Sequence, residues 1–488
     1  MVTKGVWFST DQWNFVRTAE TLRSNFSVIS PSAINERYDT VVFDAHQHPY
    51  VKQHRGHIAQ YPPGQSLVMA VLRTFIPSYN LATGVTAAFG VAAFFWMMLN
   101  LAGVRAALFG ATVLISTPIY FFYAVPALAD MTSFVVLIVT LTIYLRTLEP
   151  ISWRYFVVAL LLVFSVWVKY VNVVLVVPFF VHYLIYRRGV GAWRPVLVVT
   201  ATMAGGIGLL LLYNNWAFGG FFTTGYGYLE LPEVPNAADA ASGEAGRSVL
   251  DHLKNISLRH GAIRVANFSV LAAICAPVAL TGIFALFAVP RRDWPQVSIL
   301  VLTCAVVMVC YLLLTGNAFG TNQYDRLTVS SFNRYILPVY CLLIVPIALI
   351  FRDADAWRWA GALALITGLN LASGWVAPAN LSNLNWSVGH QQHTKELQRR
   401  QLELTPEGAV IIGCSLNYYM VDMGRPIIHC RGNALRWVKE VDRVVLALLR
   451  DGHDVFLSEE YLPGLTVPGL IKTLVDEQTK TFRLSLSD

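Results

Sequence analysis

Long apolar runs constrain this chain more than any motif does. Ten of them, at about 82–102, 106–124, 131–147, 154–168, 171–186, 195–216, 266–289, 296–315, 335–351 and 359–378, are separated by polar connections. A helix needs about 20 consecutive apolar residues to cross a bilayer. Backbone groups inside hydrocarbon must be satisfied within the chain, so runs of this kind are read as spanning helices. Only 13% of the 488 residues are charged, about half the share found in soluble domains. The expected fold class is therefore an α-helical polytopic membrane protein with about ten transmembrane helices. Residues 154–186 are read either as two spans or as one long bent pair.

Basic residues orient these spans. Arg105, then Arg146 with Arg154, then Arg187, Arg188 and Arg194, then Arg291 and Arg292, then Arg352 with Arg358 occupy alternate connections. Connections rich in Lys and Arg stay cytoplasmic. The outward-facing segments are then residues 1–80, the turn around Asp130, the turn at Lys169-Tyr170, the loops 217–265 and 316–334, and everything after about 379. Three regions follow: a first outer segment 1–80, a helical domain 81–378 that includes loop 217–265, and an extracytoplasmic module 379–488. An outward N-terminus requires either a further apolar span before Met1 or an unusual N-out insertion. Much of the basic excess, a net +7, lies in the short connections. No aromatic RNA-binding box, zinc-finger spacing or Walker-type glycine loop points to nucleic acid.

The module 379–488 alternates strand and helix signals, which suggests a small α/β layer. Strands are expected at Ala409–Cys414, Asp454–Leu457 and Thr481–Leu484, and helices at 434–450 and 466–477. Of the six cysteines, Cys275, Cys304, Cys310 and Cys341 fall in apolar runs and read as packing residues. Cys414 and Cys430 are either a disulfide or two packed thiols on neighbouring strands.

A few polar residues stand where they are costly or unusually placed. In the first outer segment, Phe8-Ser9-Thr10-Asp11-Gln12 leads into a helical stripe of Trp13, Val16 and Ala19. Thr10 suits the cap, and Asp11 lies in the first turn, where a carboxylate is favoured. Asp11 is either a helix-starting acid or a reactive base. Asp130 follows Val125-Pro126-Ala127-Leu128-Ala129 at the mouth of a span, as a solvated acid or a working one. Lys169, in Val166-Trp167-Val168-Lys169-Tyr170-Val171-Asn172, lies between apolar runs. It must snorkel or find an anion, such as a lipid phosphate. Arg334 opens a span, with Arg326 eight residues upstream. Each is an interfacial anchor or a phosphate ligand, since guanidinium matches phosphate geometry. His46, His48, His54 and His57 with Asp44 form either a solvated loop or a divalent-metal site. Their spacing matches no standard metal signature. Tyr61-Pro62-Pro63-Gly64 reads as a rigid turn, and Tyr213-Asn214 as part of an outer aromatic belt or a sugar-stacking surface.

In order and sidedness these segments resemble the GT-C superfamily of polytopic glycosyltransferases, in particular members related to protein mannosyltransferases and aminoarabinose lipid A transferases. Phe8-Ser9-Thr10-Asp11-Gln12 with Arg17-Thr18-Ala19-Glu20-Thr21-Leu22 looks like their first outer loop, and Tyr61-Pro62-Pro63-Gly64-Gln65-Ser66-Leu67 like its end. Pro126-Ala127-Leu128-Ala129-Asp130 is similar to their second outer loop. Val168-Lys169-Tyr170-Val171-Asn172, Tyr213-Asn214 with Phe218-Gly219, and Arg334-Tyr335-Ile336-Leu337-Pro338 are similar to further recurrent segments. The likeness covers about residues 5–350. It departs at two points: the helix that precedes the first loop is not seen before Asp11, and the acid pair of the mannosyltransferases is here Asp11-Gln12.

The resemblance implies transfer of a sugar from a polyprenyl-phosphate donor to a hydroxyl of a glycan, lipid or protein acceptor. The reaction would run at the outer face of a multi-pass cell-membrane enzyme, with inversion in one displacement. Asp11 would be the base, aided by Asp130. Lys169, Arg334 and Arg326 would hold the donor phosphate, and His57, Tyr61, Tyr213 and Asn214 would line the pocket. Metal-dependent and metal-independent members both exist, which leaves a divalent ion at His46 and His48 open. The same spans and buried charges also fit a transporter or a flippase for lipid-linked glycans. Such proteins often carry two related halves; no internal repeat is visible here, and the long outward segments suit an outward-facing enzyme. A membrane scaffold whose work lies in the 379–488 module is a further alternative.

Overall fold

The structure, a computed structural model, describes residues 10–38, 50–124, 126–146, 153–186, 193–224, 276–314, 336–376, 396–397, 399–414, 426–430, 434–458, 469–477 and 481–486. The chain forms two compact units. One comprises Met1–Tyr79, Leu211–Ala237 and Val388–Asp488; the other comprises Asn80–Leu210 and Ala238–Ser387.

The first unit begins with α1 (Thr10–Asn25), β1 (Ile29–Pro31), α2 (Ala33–Arg37), β2 (Tyr50–Val51), β3 (Gly56–Ile58) and α3 (Gly64–Phe75). α1 is the helix expected after a Thr10 cap, with Thr10 as its first residue instead, and it buries Phe15, Val16 and Ala19, an apolar face at helical spacing. It packs on α3 and β1. The three strands form a small antiparallel sheet in the order β1-β3-β2, with His57 opposite both Ser30 and Tyr50. Strands of two and three residues carry no alternation long enough to read in sequence.

The second unit is helical. Most of α4 (Tyr79–Ser116) belongs to it, and α4 runs through most of the first two expected spans. Their separation survives as a break at Gly103, whose φ of +82° is a region that favours glycine. There follow α5 (Pro118–Tyr123), α6 (Ala129–Leu145), α7 (Trp153–Val168), a 3-10 segment (Tyr170–Leu175), α8 (Val176–Tyr186) and α9 (Trp193–Phe218). Then come α10 (Pro277–Ala285), α11 (Trp294–Leu314), α12 (Leu337–Leu342), α13 (Ile344–Ile350) and α14 (Ala356–Val376). Residues 154–186 are thus interrupted at Lys169. Among the described residues, Tyr79–Ser116, Trp193–Phe218 and Arg291–Cys310 are long and apolar enough to cross a membrane, and several shorter apolar helices accompany them.

Polar clasps tie these helices at points where an unpaired group would be costly in an apolar setting. Tyr120 Oη donates to the Ala87 carbonyl at 2.6 Å. Asn370 on α14 donates to Ser116 Oγ at 3.0 Å. Buried His182 joins three helices: its Nε2 is 2.6 Å from the Pro295 carbonyl and its Nδ1 is 2.9 Å from Tyr144 Oη. A carbonyl only accepts, so Nε2 carries the proton and Nδ1 accepts from the tyrosine.

The first unit is completed by the last turns of α9 and by a C-terminal α/β module. The module comprises β4 (Val410–Cys414), β5 (Ile427–Cys430), α15 (Ala434–Arg450), β6 (Val455–Ser458), β7 (Leu470–Asp476) and β8 (Thr481–Leu486). Its sheet order is β5-β4-β6-β8-β7. β5 and β6 run parallel to β4, and β8 runs antiparallel to β6 and β7. Val410, Ile411 and Ile412 are all fully buried, as expected for a strand covered on both faces. Val444, Val445 and Leu448 of α15 close the core over Ile412, Ile428, Val455 and Leu457. The expected strands β4, β6 and β8 and the helix 434–450 are found. β5 lies beside β4 with Cys430 in register with Cys414, the neighbouring-strand arrangement expected for these two cysteines, and within the helix expected at 466–477 the described residues Leu470–Asp476 form strand β7. Leu470, Ile471, Leu474 and Val475 fit a helical period, but the ladder offered by β8 prevails over that local pattern.

Candidate functional site

In the second unit, Asp130 lies in the first turn of α6, with Leu128 extended just before it. Its carboxylate meets the positive end of the helix dipole there. Lys169 is extended, with φ −158° and ψ 119°, at the break between α7 and the 3-10 segment. Its backbone N–H still donates to the Ser165 carbonyl at 2.9 Å, which closes the last turn of α7. The break carries its side chain to α6, where Nζ is 2.6 Å from Asp130 Oδ1. The side chains are 5% exposed for Asp130 and 21% for Lys169.

Asn172 secures this junction. Its Nδ2 donates to Ser133 Oγ at 3.0 Å and to the Ser165 carbonyl at 2.9 Å. Ser133, Ser165 and Asn172 are all buried, so a polar knot joins α6, α7 and the 3-10 segment around the ion pair. A paired ammonium and carboxylate of this kind can pass a proton, and the three donors of the ammonium allow it to meet an anion as well.

In the first unit, Asp11 occupies the first turn of α1. Positions 11, 15 and 18 share a helix face. Phe15 and Thr18 are buried on it, and the Tyr61 ring lies 4.8 Å from that of Phe15. Tyr61 thus packs one helical turn beyond the Asp11 position. Gln12 and Asn14 are fully buried neighbours in the same turn.

His57 belongs to the interior of the small sheet rather than to an open surface. It is fully buried, with Nε2 3.0 Å from Asn35 Nδ2. Asn214 is buried near the end of α9. Tyr213 packs with Ile29 on a cluster of Val51, Ile58, Ala217 and Phe218. Gln53 Nε2 and His54 Nε2 donate to the Trp216 carbonyl at 3.0 and 2.8 Å, and the His54 ring lies 4.6 Å from that of Trp216, tilted by 43°. The stretch around Gln53 and His54 is thereby fastened to the end of α9.

Asp130 and Lys169 are therefore brought together in one unit, and the Asp11 position, Tyr61, His57, Tyr213 and Asn214 belong to the other. His46, His48, Arg326 and Arg334 lie outside the described residues. Among the described residues no group of three or more His, Cys, Asp or Glu side chains is placed to hold a metal ion. Sequence reasoning missed Ser133, Ser165 and Asn35. The first two are common small residues in apolar runs, and nothing local marks them.

No protein-family model and no curated protein sequence matches the chain. Solved structures do. ArnT from Cupriavidus metallidurans in the apo state matches over 99% of this chain and 94% of its own, with a TM-score of 0.59 at 14% identity. The same protein bound to undecaprenyl phosphate matches over 98% and 94%, with a TM-score of 0.57 at 14% identity. The oligosaccharyltransferase of Archaeoglobus fulgidus, in complex with zinc and sulfate, matches over 94% of this chain and 65% of its own, with a TM-score of 0.51 at 13% identity. These proteins share the architecture that the outer-loop segments led us to expect. Across nearly its whole length, the chain shares the fold of ArnT.

Proposed function

We propose that the chain is a glycosyltransferase that moves a sugar from a polyprenyl-phosphate donor to an acceptor hydroxyl at the outer face of the membrane. The observation that carries this reading is the whole-chain likeness to ArnT, a protein solved with undecaprenyl phosphate bound. Asp11 removes the proton from the acceptor hydroxyl, as a carboxylate base within reach of the attacking oxygen. The acceptor oxygen displaces the donor phosphate at the anomeric carbon. Negative charge builds on the departing phosphate, and preorganised cations stabilise it there. Lys169 supplies one such cation, and Arg334 and Arg326 the others.

In this reading the contact between Lys169 and Asp130 is a resting arrangement. A donor phosphate competes for the ammonium, and Asp130 is then released to assist at the acceptor side. Tyr61, Tyr213 and Asn214 contribute to the walls of the sugar pocket. The acceptor is a glycan, lipid or protein hydroxyl, and the transferred unit a hexose or a pentose.

The test is transfer from radiolabelled undecaprenyl-phosphate sugars by the purified chain in nanodiscs, with release of undecaprenyl phosphate measured in parallel. Asp11→Asn is expected to abolish release while the protein stays folded in the membrane. Near-normal turnover by Asp11→Asn removes Asp11 from its role. Passage of the intact lipid-linked sugar across the bilayer, with its sugar–phosphate bond unbroken, identifies a flippase instead. Chelation followed by readdition of Mn²⁺ or Zn²⁺ decides whether a divalent ion at His46 and His48 takes part.

A further inference from the structure

The five residues from Ile34 to Tyr38, four in α2 and the last capping it, each have a defined partner, and those partners belong to two different parts of the first unit. Ile34 and Tyr38 pack against the hydrophobic core of the C-terminal module, the cluster that contains Val444, Leu448 and Val455. Asn35 meets buried His57 of β3 at 3.0 Å. Glu36 accepts from Arg55, next to β3, at 3.3 Å. Arg37 Nη2 is 2.9 Å from Asp451 Oδ2, and Tyr38 Oη donates to the same oxygen at 2.8 Å. Arg443 of α15 returns the contact, with both terminal nitrogens 3.3 Å from the Tyr38 carbonyl. One side of this short helix therefore grips the C-terminal module, and the other side grips the small sheet of the first outer segment.

The connection continues to α1. Ser30 of β1 lies opposite His57 in the ladder, and its Oγ is 2.8 Å from Thr21 Oγ1 on α1. An unbroken series of contacts thus leads from Asp451 through α2, β3 and β1 to the helix that bears Asp11. A helix of five residues has too few internal hydrogen bonds to hold itself, so its place is set by what it touches.

We propose that the C-terminal module acts as a positioning element for the first outer segment, and that Arg37, Tyr38, Asp451 and Arg443 are the positioning residues through which it sets α1. This rests on the reading of Asp11 as the base. The module then does no chemistry itself. It holds the short strands and α2, which are too short to fix their own place, and through them α1.

The test uses the full chain in nanodiscs, with Asp451→Asn approached from one side of the contact and Arg37→Gln from the other. Both positions are partly exposed, and amide protection in β4 and β6 reports whether the module stays folded. Hydrogen exchange in α1 and β1 is expected to quicken in each variant. With the donor KM unchanged, kcat is expected to fall about two- to fivefold, the scale of an exposed ion pair. Asp451→Glu is expected to recover most of it, and the double variant is expected to be no worse than either single one. Unaltered exchange in α1 together with unaltered kcat overturns the proposal, as does full additivity of the two substitutions. If the unmodified chain transfers no sugar, the assignment of Asp11 fails, and exchange in α1 alone then judges the mechanical coupling.

Discussion

Lys169 and Asp130 are 39 residues apart in the chain, and Nζ stands 2.6 Å from Oδ1. Asp130 is nearly sealed from solvent and Lys169 only partly so. Removing one member of a buried pair strands the other charge, at a cost of about 3–5 kcal/mol, whereas replacing both by neutral groups costs far less. Lys169→Met is therefore expected to destabilise the protein by about 3 kcal/mol, near the lower end because Lys169 keeps some solvent. Addition of Asp130→Asn to it is expected to restore most of the loss. Thermal unfolding in detergent micelles measures both, and additive losses count against a coupled pair.

The same lysine separates donor binding from chemistry. If its ammonium meets a phosphate on arrival of the donor, Lys169→Ala is expected to raise the donor KM about tenfold or more, the scale of a lost charge-assisted hydrogen bond. Lys169→Arg keeps the charge and is expected to fall between. The acceptor KM is the internal control, and a change confined to it would assign Lys169 to the other substrate.

These two residues also show where the sequence was legible. Each was conspicuous alone, because a charge between apolar runs demands a partner, and both stand beside helix ends that the pattern located. Their contact was not visible, since pairing across helices depends on packing that no local period encodes. The break at Gly103 followed from the polar gap between two apolar runs. By contrast α2 left no trace: five residues of mixed character have no period, and their meaning comes from Asp451 and His57, distant in sequence. β7 was misread because Leu470, Ile471, Leu474 and Val475 suit helix and strand alike, and β8 decides between them.

Glu20 pairs within α1 with Arg23 at 2.7 Å and reaches Arg73 of α3 at 3.9 Å. Partial burial works against its ionised form, but hydrogen bonds with Arg23 and Tyr79 and the charges of Arg23 and Arg73 outweigh this and hold the carboxyl below its ordinary 4.5. A carboxyl lowered in the folded state stabilises it above the ordinary value, and that contribution is lost as pH falls through the lowered one. Amide protection in α1 and α3 is thus expected to be flat from neutral pH down to the ordinary Glu value and to decline below it. Glu20→Gln is expected to remove that part of the acid decline, and an identical acid profile in the variant would place its origin elsewhere.

Two glycines make opposite predictions about helix packing. At Gly282 of α10, an added Cβ would lie 2.1 Å from the Leu343 carbonyl oxygen, at the junction of α12 and α13. That atom is backbone, so relief requires the helices to separate, and overpacking of this kind costs about 1–3 kcal/mol. At Gly361 of α14, nothing lies within 4 Å of the same added carbon. Alanine there gains helix propensity and loses nothing, a change of up to about 1 kcal/mol in favour of the fold. Gly282→Ala is therefore expected to lower the unfolding temperature and Gly361→Ala to leave it unchanged or raise it. Equal behaviour of the two would mean that α10 and α13 do not meet at the close distance that makes glycine necessary.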